Sequence, residues 1–165
     1  MRDIQFTPTA FEQYNEWQTS NKTIYEKLNK LIKEAGEQAA YDAGVPGLNP
    51  DMLKILGRLK FRTSYVQNML NHSVEVCKIA GMLAQDLGAD INIAKKAALL
   101  HDIGKALTHE VEGSHLQLSV DIAKKYGMSP AVVHAIEAHH DDVDARTVEA
   151  IIVKAADAIS GSRPG

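Results

Sequence analysis

Apolar residues recur along this chain at three- and four-residue steps. Val66, Met69, Leu70, Cys77, Ala80, Leu83 and Leu87 trace one such stripe, the pattern of a helix face buried in a core. No sustained two-residue alternation, the mark of a half-buried strand, suggests a sheet. Thr7-Pro8, Asn49-Pro50 and Ser129-Pro130 each set a side-chain acceptor before a proline suited to a first helical turn. Gly88 and Gly127 read as helix stops. The pattern predicts helices over 8–19, 21–39, 50–56, 58–87, 90–102, 115–126, 130–140 and 145–160, hence an all-α domain. The longest irregular stretch joins Gly104 to His115, and Gly44-Val45-Pro46-Gly47 is the best linker candidate.

Composition narrows the class. With 165 residues, 45% hydrophobic and 24% charged, the chain suits one globular domain with a short appendage and argues against disorder. A single cysteine, Cys77, excludes an intramolecular disulfide, and no amino-terminal apolar run has signal-peptide or membrane-span length. A cytoplasmic protein without a membrane partner is the simplest expectation. The net charge of −3 disfavours strong nonspecific attraction to nucleic acid. The local cluster Lys54, Arg58, Lys60 and Arg62 has the charge to touch an RNA backbone, and equally the spacing of an ordinary solvated helix face.

The histidines carry the chemistry. His101-Asp102 closes the apolar run Ala94, Ala97, Ala98, Leu99, Leu100, so two polar side chains arise where a buried helix ends. An uncompensated carboxylate there would cost several kcal/mol, roughly, and a bound cation is the economical compensation; an exposed helix terminus is the alternative. Asp157 lies among Ile151, Ile152, Ala155, Ala156, Ala158 and Ile159, where a metal ion, a cap or a salt bridge would each account for it. Imidazole with carboxylate suits manganese, iron, zinc, cobalt or nickel, with magnesium less natural for so many nitrogens. At about 100° per residue, positions 134 and 139 differ by about 140° on a helix. One site does not easily collect both, and His134 is expected to be a surface or satisfied core histidine.

His72, then His101-Asp102, then Asp157 resembles the H…HD…D pattern of the HD superfamily of metal-dependent phosphohydrolases. That resemblance implies His72, His101, Asp102 and Asp157 as core ligands, and His115, His139 and His140 as candidates for a second metal, so one or two divalent ions in all. Longer stretches are more specific. Gly36-Glu37-Gln38-Ala39-Ala40, the run from Gly57 to Tyr65, Leu99-Leu100-His101-Asp102-Ile103-Gly104-Lys105-Ala106, the run from His109 to His115 and Ala155-Ala156-Asp157-Ala158 closely resemble ribonuclease Y. From about residue 35 onward the resemblance implies an HD-domain helical bundle, an endoribonuclease cutting single-stranded RNA, and a capacity to dimerise. It also puts Lys105 where a cation offsets transition-state charge, beside Asp102 in the catalytic machinery. His109 becomes a substrate-side loop residue, and Arg58 and Arg62 become backbone contacts.

Residues 1–34 are similar to something else. Met1 to Phe6, Ala10 to Trp17 and Lys27 to Glu34 look like the opening of a YoeB/Txe-type toxin, without the part that supplies that fold's sheet and catalytic residues. The expectation is a chimera with a toxin-like helical extension over 1–34 and an HD domain over 35–165. Two rival functions stand beside the ribonuclease: an HD hydrolase of nucleotides, and a catalytically silent module binding a toxin or antitoxin partner.

Overall fold

The computed structural model describes residues 8–64, 67–108, 113–140 and 142–162. Among them eight helices form one bundle: α1 (Pro8–Ser20), α2 (Lys22–Ala43), α3 (Pro50–Arg58), α4 (Met69–Leu87), α5 (Ile91–Leu100), α6 (His115–Lys125), α7 (Pro130–Glu137) and α8 (Val148–Gly161). The all-α expectation holds. No described helix is long and apolar enough to cross a membrane.

Local signals account for the boundaries. Asn49 accepts from Asp51 N, Asp90 from Asn92 and Ile93 N, Ser129 from Val132 N and Thr147 from Ala150 N, each satisfying donors a helix start leaves orphaned. Gly88 ends α4 in the left-handed conformation at φ 66°, where a side chain would be strained. Thr7 falls outside the described residues.

The structure differs from the expected helix over 58–87. A 3-10 turn, Leu59–Phe61, and a two-residue-per-strand hairpin, β1 (Thr63–Ser64) with β2 (Gln67–Asn68), precede α4. Asn68 starts α4 by accepting from Leu70 N and Asn71 N, a cap concealed inside the apolar stripe. Strands of two residues are too short to leave an alternation. The proposed linker is likewise an internal loop: Val45 and Leu48 are buried in the core between α2 and α3. Both helices carry a glycine at their crossing. A Cβ on Gly57 would overlap Ile32 O and lie 2.9 Å from Gly36 N, so the backbones touch and hydrophobic burial extends across the loop.

Helix α4 is central, packing on α5, α8 and α2. Its buried Val76, Cys77, Ala80 and Ala84 meet a core that includes Ala94, Ala97, Ala98, Ile152, Val153 and Ala156. Small residues on α5 and α8 let these helices approach α4 closely, which brings the polar residues at their ends together.

Candidate metal centre

Helix α5 ends at Leu100, and the chain turns through His101 and Asp102 into a 3-10 turn, Ile103–Ala106. This turn is held from beneath. Gly104 N donates to Ser119 Oγ at 2.9 Å, and Ser119 Oγ donates to His115 O at 2.9 Å. A Cβ on Gly104 would overlap His115 O, so glycine lets the start of α6 rest on the turn. The packing drives His101 to 0% and Asp102 to 2% exposure.

All seven sequence-proposed ligands converge. His72 Nε2 lies 3.0 Å from Asp157 Oδ1, and His101 Nε2 lies 3.6 Å from that same oxygen and 3.2 Å from Asp102 Oδ2. On the other side of Asp102, Oδ1 is 3.6 Å from His115 Nε2 and 3.9 Å from His139 Nε2, while His115 Nε2 and His140 Nε2 are 3.0 Å apart. His139 and His140 reach the centre because α7 stops at Glu137 and they lie beyond it. His134, on α7 itself, accepts from Arg146 N at 3.0 Å. Lys105 Nζ sits 2.6 Å from Asp102 Oδ2. Arg58 ends α3 and Arg62 follows the Leu59–Phe61 turn, which packs against the Ile103–Ala106 turn. His109 lies outside the described residues.

Hydrogen bonds to the outer nitrogens reveal the tautomers. His101 Nδ1 is 2.7 Å from Ala98 O, and His139 Nδ1 is 2.6 Å from Ile136 O. A carbonyl only accepts, so each Nδ1 donates a proton, and the inward-facing Nε2 is the nitrogen that offers its lone pair to a cation when the ring is neutral. His101 Nε2, His139 Nε2 and Asp102 Oδ1 are buried without hydrogen-bond partners, an arrangement that costs free energy unless something completes it. A divalent ion with bonds of about 2.0–2.2 Å places neighbouring ligand atoms roughly 2.9–3.5 Å apart, and the separations around Asp157 and Asp102 fall at or just beyond that range. The trios His72-His101-Asp157, His101-Asp102-His139 and His115-His139-His140 each bring their ligand atoms within 4.8 Å of one another. These clusters are fit to bind metal.

Charge tells the same story. Burial alone would lower the pKa of His101, but Asp102 and Asp157 outweigh it and raise the group to about 10. Burial pushes the two carboxylates up, yet their neighbours outweigh it: His101 and Lys105 hold Asp102, and contacts with His101 and His72 hold Asp157, well below the usual carboxylate range. Burial and then the charge of His101 push His139 down to about 3. Burial also lowers His115. The centre holds ionised carboxylates and calls for positive charge.

Sequence comparison meets this geometry directly, because an HD domain matches residues 69–162. The chain belongs to the HD domain family. It is 60% identical over 134 residues to ribonuclease Y of Desulforamulus reducens, 58% over 139 residues to that of Thermoanaerobacter pseudethanolicus and 61% over 134 residues to that of Desulforudis audaxviator. These alignments cover 81–84% of this chain and 26–27% of the relatives, so this HD domain chain spans about a quarter of their length. No solved structure matches it.

Two polar residues beside the centre escaped the sequence reading. Ser160 lies three positions after Asp157, and Glu75 three after His72, each on the same helix face as the proposed ligand. That spacing was the available signal.

Proposed function

We propose that this chain is a divalent-metal phosphodiester hydrolase acting on single-stranded RNA. The observation that carries it is the set of buried, unpartnered ligand atoms on His101, Asp102 and His139, flanked by His72, Asp157, His115 and His140. Each histidine nitrogen serves one ion, whereas the two oxygens of Asp102 face opposite ways. The arrangement therefore divides into one set of His72, His101, Asp157 and Asp102 Oδ2, and another of His115, His139, His140 and Asp102 Oδ1, with Asp102 between them.

Divalent ions bound here would supply a water acidic enough to attack phosphorus near neutral pH and would polarise a nonbridging oxygen. The protein's own part is to orient. His101 and His139 are locked by their carbonyl partners, and Asp102 is held by the turn beneath it. Lys105, half-buried at the rim, has its ammonium placed to pair with phosphate oxygen as negative charge develops. His109, Arg58 and Arg62 are assigned to the RNA strand beyond. The names of the relatives favour RNA as the substrate, and imidazole-rich ligation favours manganese, iron, zinc or nickel over magnesium.

Asp102→Ala removes the shared ligand. Metal-dependent cleavage of a labelled single-stranded RNA should disappear while the helical circular dichroism persists; retained cleavage in nuclease-free protein would defeat the assignment. Nucleoside monophosphates and cyclic nucleotides assayed beside the RNA decide the substrate, because their turnover without RNA cleavage replaces RNA with a nucleotide.

A further inference from the structure

Behind the metal-facing atoms lies a second set of contacts. His72 Nδ1 is 3.0 Å from Ser160 Oγ, and Ser160 Oγ donates to Glu75 Oε2 at 2.9 Å. A serine hydroxyl has one proton. Because that proton goes to Glu75, the oxygen meets His72 as an acceptor, and the imidazole proton must sit on Nδ1.

We propose that Ser160 and Glu75 are positioning residues that keep the Nε2 lone pair of His72 aimed at the cation, an inference that rests on the metal reading above. The need arises from a competitor. Asp157 Oδ1 lies 3.0 Å from His72 Nε2 and would readily accept a proton from that nitrogen. A ring protonated there could not ligate. Ser160 offers the proton a partner on the other side, which makes the ligating tautomer the favoured one. His101 and His139 achieve the same with backbone carbonyls. His72 lies within the first turns of α4 and uses a side-chain pair instead.

Ser160 is built for this contact. A serine inside a helix ordinarily donates to a carbonyl one turn back, as Ser73 does to Met69 O at 3.0 Å. Ser160 is 0% exposed and donates to a different helix, across 85 positions of sequence. Its own carbonyl accepts from Gln67 Nε2 at 3.0 Å, which ties the end of α8 to the hairpin. Glu75 is half-buried and lines a cavity of about 500 Å³ with Lys60, Asn71 and Lys78, so truncating it leaves the apolar core in place.

The test reads the ring proton and the metal separately. In 15N-labelled, metal-free protein in alkaline buffer, His72 should carry its proton on Nδ1, and in Ser160→Ala the proton should move to Nε2. Zinc affinity, measured by chelator competition, should fall roughly 10–100-fold in Ser160→Ala. It should fall roughly several-fold in Glu75→Ala and recover to near wild type in Ser160→Thr, which restores the hydroxyl. An unmoved ring proton and unchanged zinc affinity in a folded Ser160→Ala protein overturn the proposal. If that variant does not fold, the same two null results in Glu75→Ala overturn it. Wild-type protein that binds no zinc sinks the metal reading instead, while the metal-free ring proton still decides whether the relay exists.

Discussion

Gly104→Ala separates the geometry of the centre from the stability of the fold. A Cβ at this position would overlap His115 O and lie 2.7 Å from Ser119 N and 2.9 Å from Leu118 Cβ. Carbon contacts are comfortable at about 3.5–4.0 Å, so the start of α6 must retreat by about 1 Å, carrying His115 with it. The Gly104–Ser119 hydrogen bond is stretched by the same movement. Overpacking of this kind costs roughly 1–3 kcal/mol, or a fall in Tm of about 2–12 °C for a chain of this size. Displacing a positioned group by about 1 Å can cost on the order of 100-fold in rate. Gly57→Ala is the control. Its Cβ would overlap Ile32 O at the α2–α3 crossing, with a comparable loss of stability and none of the proposed metal ligands on either helix. Differential scanning fluorimetry and RNA cleavage on both variants, below their melting temperatures, supply the comparison. Equal loss of cleavage in the two would refute the idea that Gly104 places His115.

Other consequences follow from the division of ligands. His140→Ala should lower the number of metal ions bound at saturation by one, read by elemental analysis after dialysis, while leaving the set around Asp157 filled. The metal-free protein should be most stable near pH 6.5. His101, raised to about 10, contributes fully below about 6.5 and loses that contribution as pH climbs toward 10. His139, lowered to about 3, penalises the fold as pH falls from about 6.5. Tm measured against pH checks this, and saturating zinc should flatten the alkaline side, because the ion replaces the proton on His101.

The parts of the molecule legible in its sequence are those in which one residue acts through its own type. Asn49, Ser129 and Gly88 announce helix ends because capping is local chemistry, and the structure places them there. His101-Asp102 stood out because two ionisable groups after Ala98, Leu99 and Leu100 have no cheap environment in a core. The misses share a different cause. Asn68 was absorbed into an apolar stripe, since Val66, Met69 and Leu70 satisfy helical spacing whether or not a hairpin precedes them. Ser160 and Glu75 are ordinary helix residues until α4 and α8 meet, so their roles exist only in the packed molecule. Gly104 is similar, for nothing local demands glycine there; the carbonyl of His115 does.

The same packing explains why the centre would stabilise the chain as well as act on substrate. Its proposed ligands come from α4, the turn after α5, α6, the segment after α7, and α8. Without a cation, the buried Asp102 carboxylate relies on His101 and on Lys105, a flexible side chain reaching in from the rim. An ion present at a thousand times its dissociation constant adds about 4 kcal/mol to the folded state, against a total that for most domains is only about 5–15 kcal/mol. Two ions sharing Asp102 would join the five segments and couple their unfolding, so loss of both would loosen all of them together. The small residues along α5 and α8 that bring these segments close make such a centre geometrically available, and the unpartnered atoms left on His101, Asp102 and His139 make it energetically wanted.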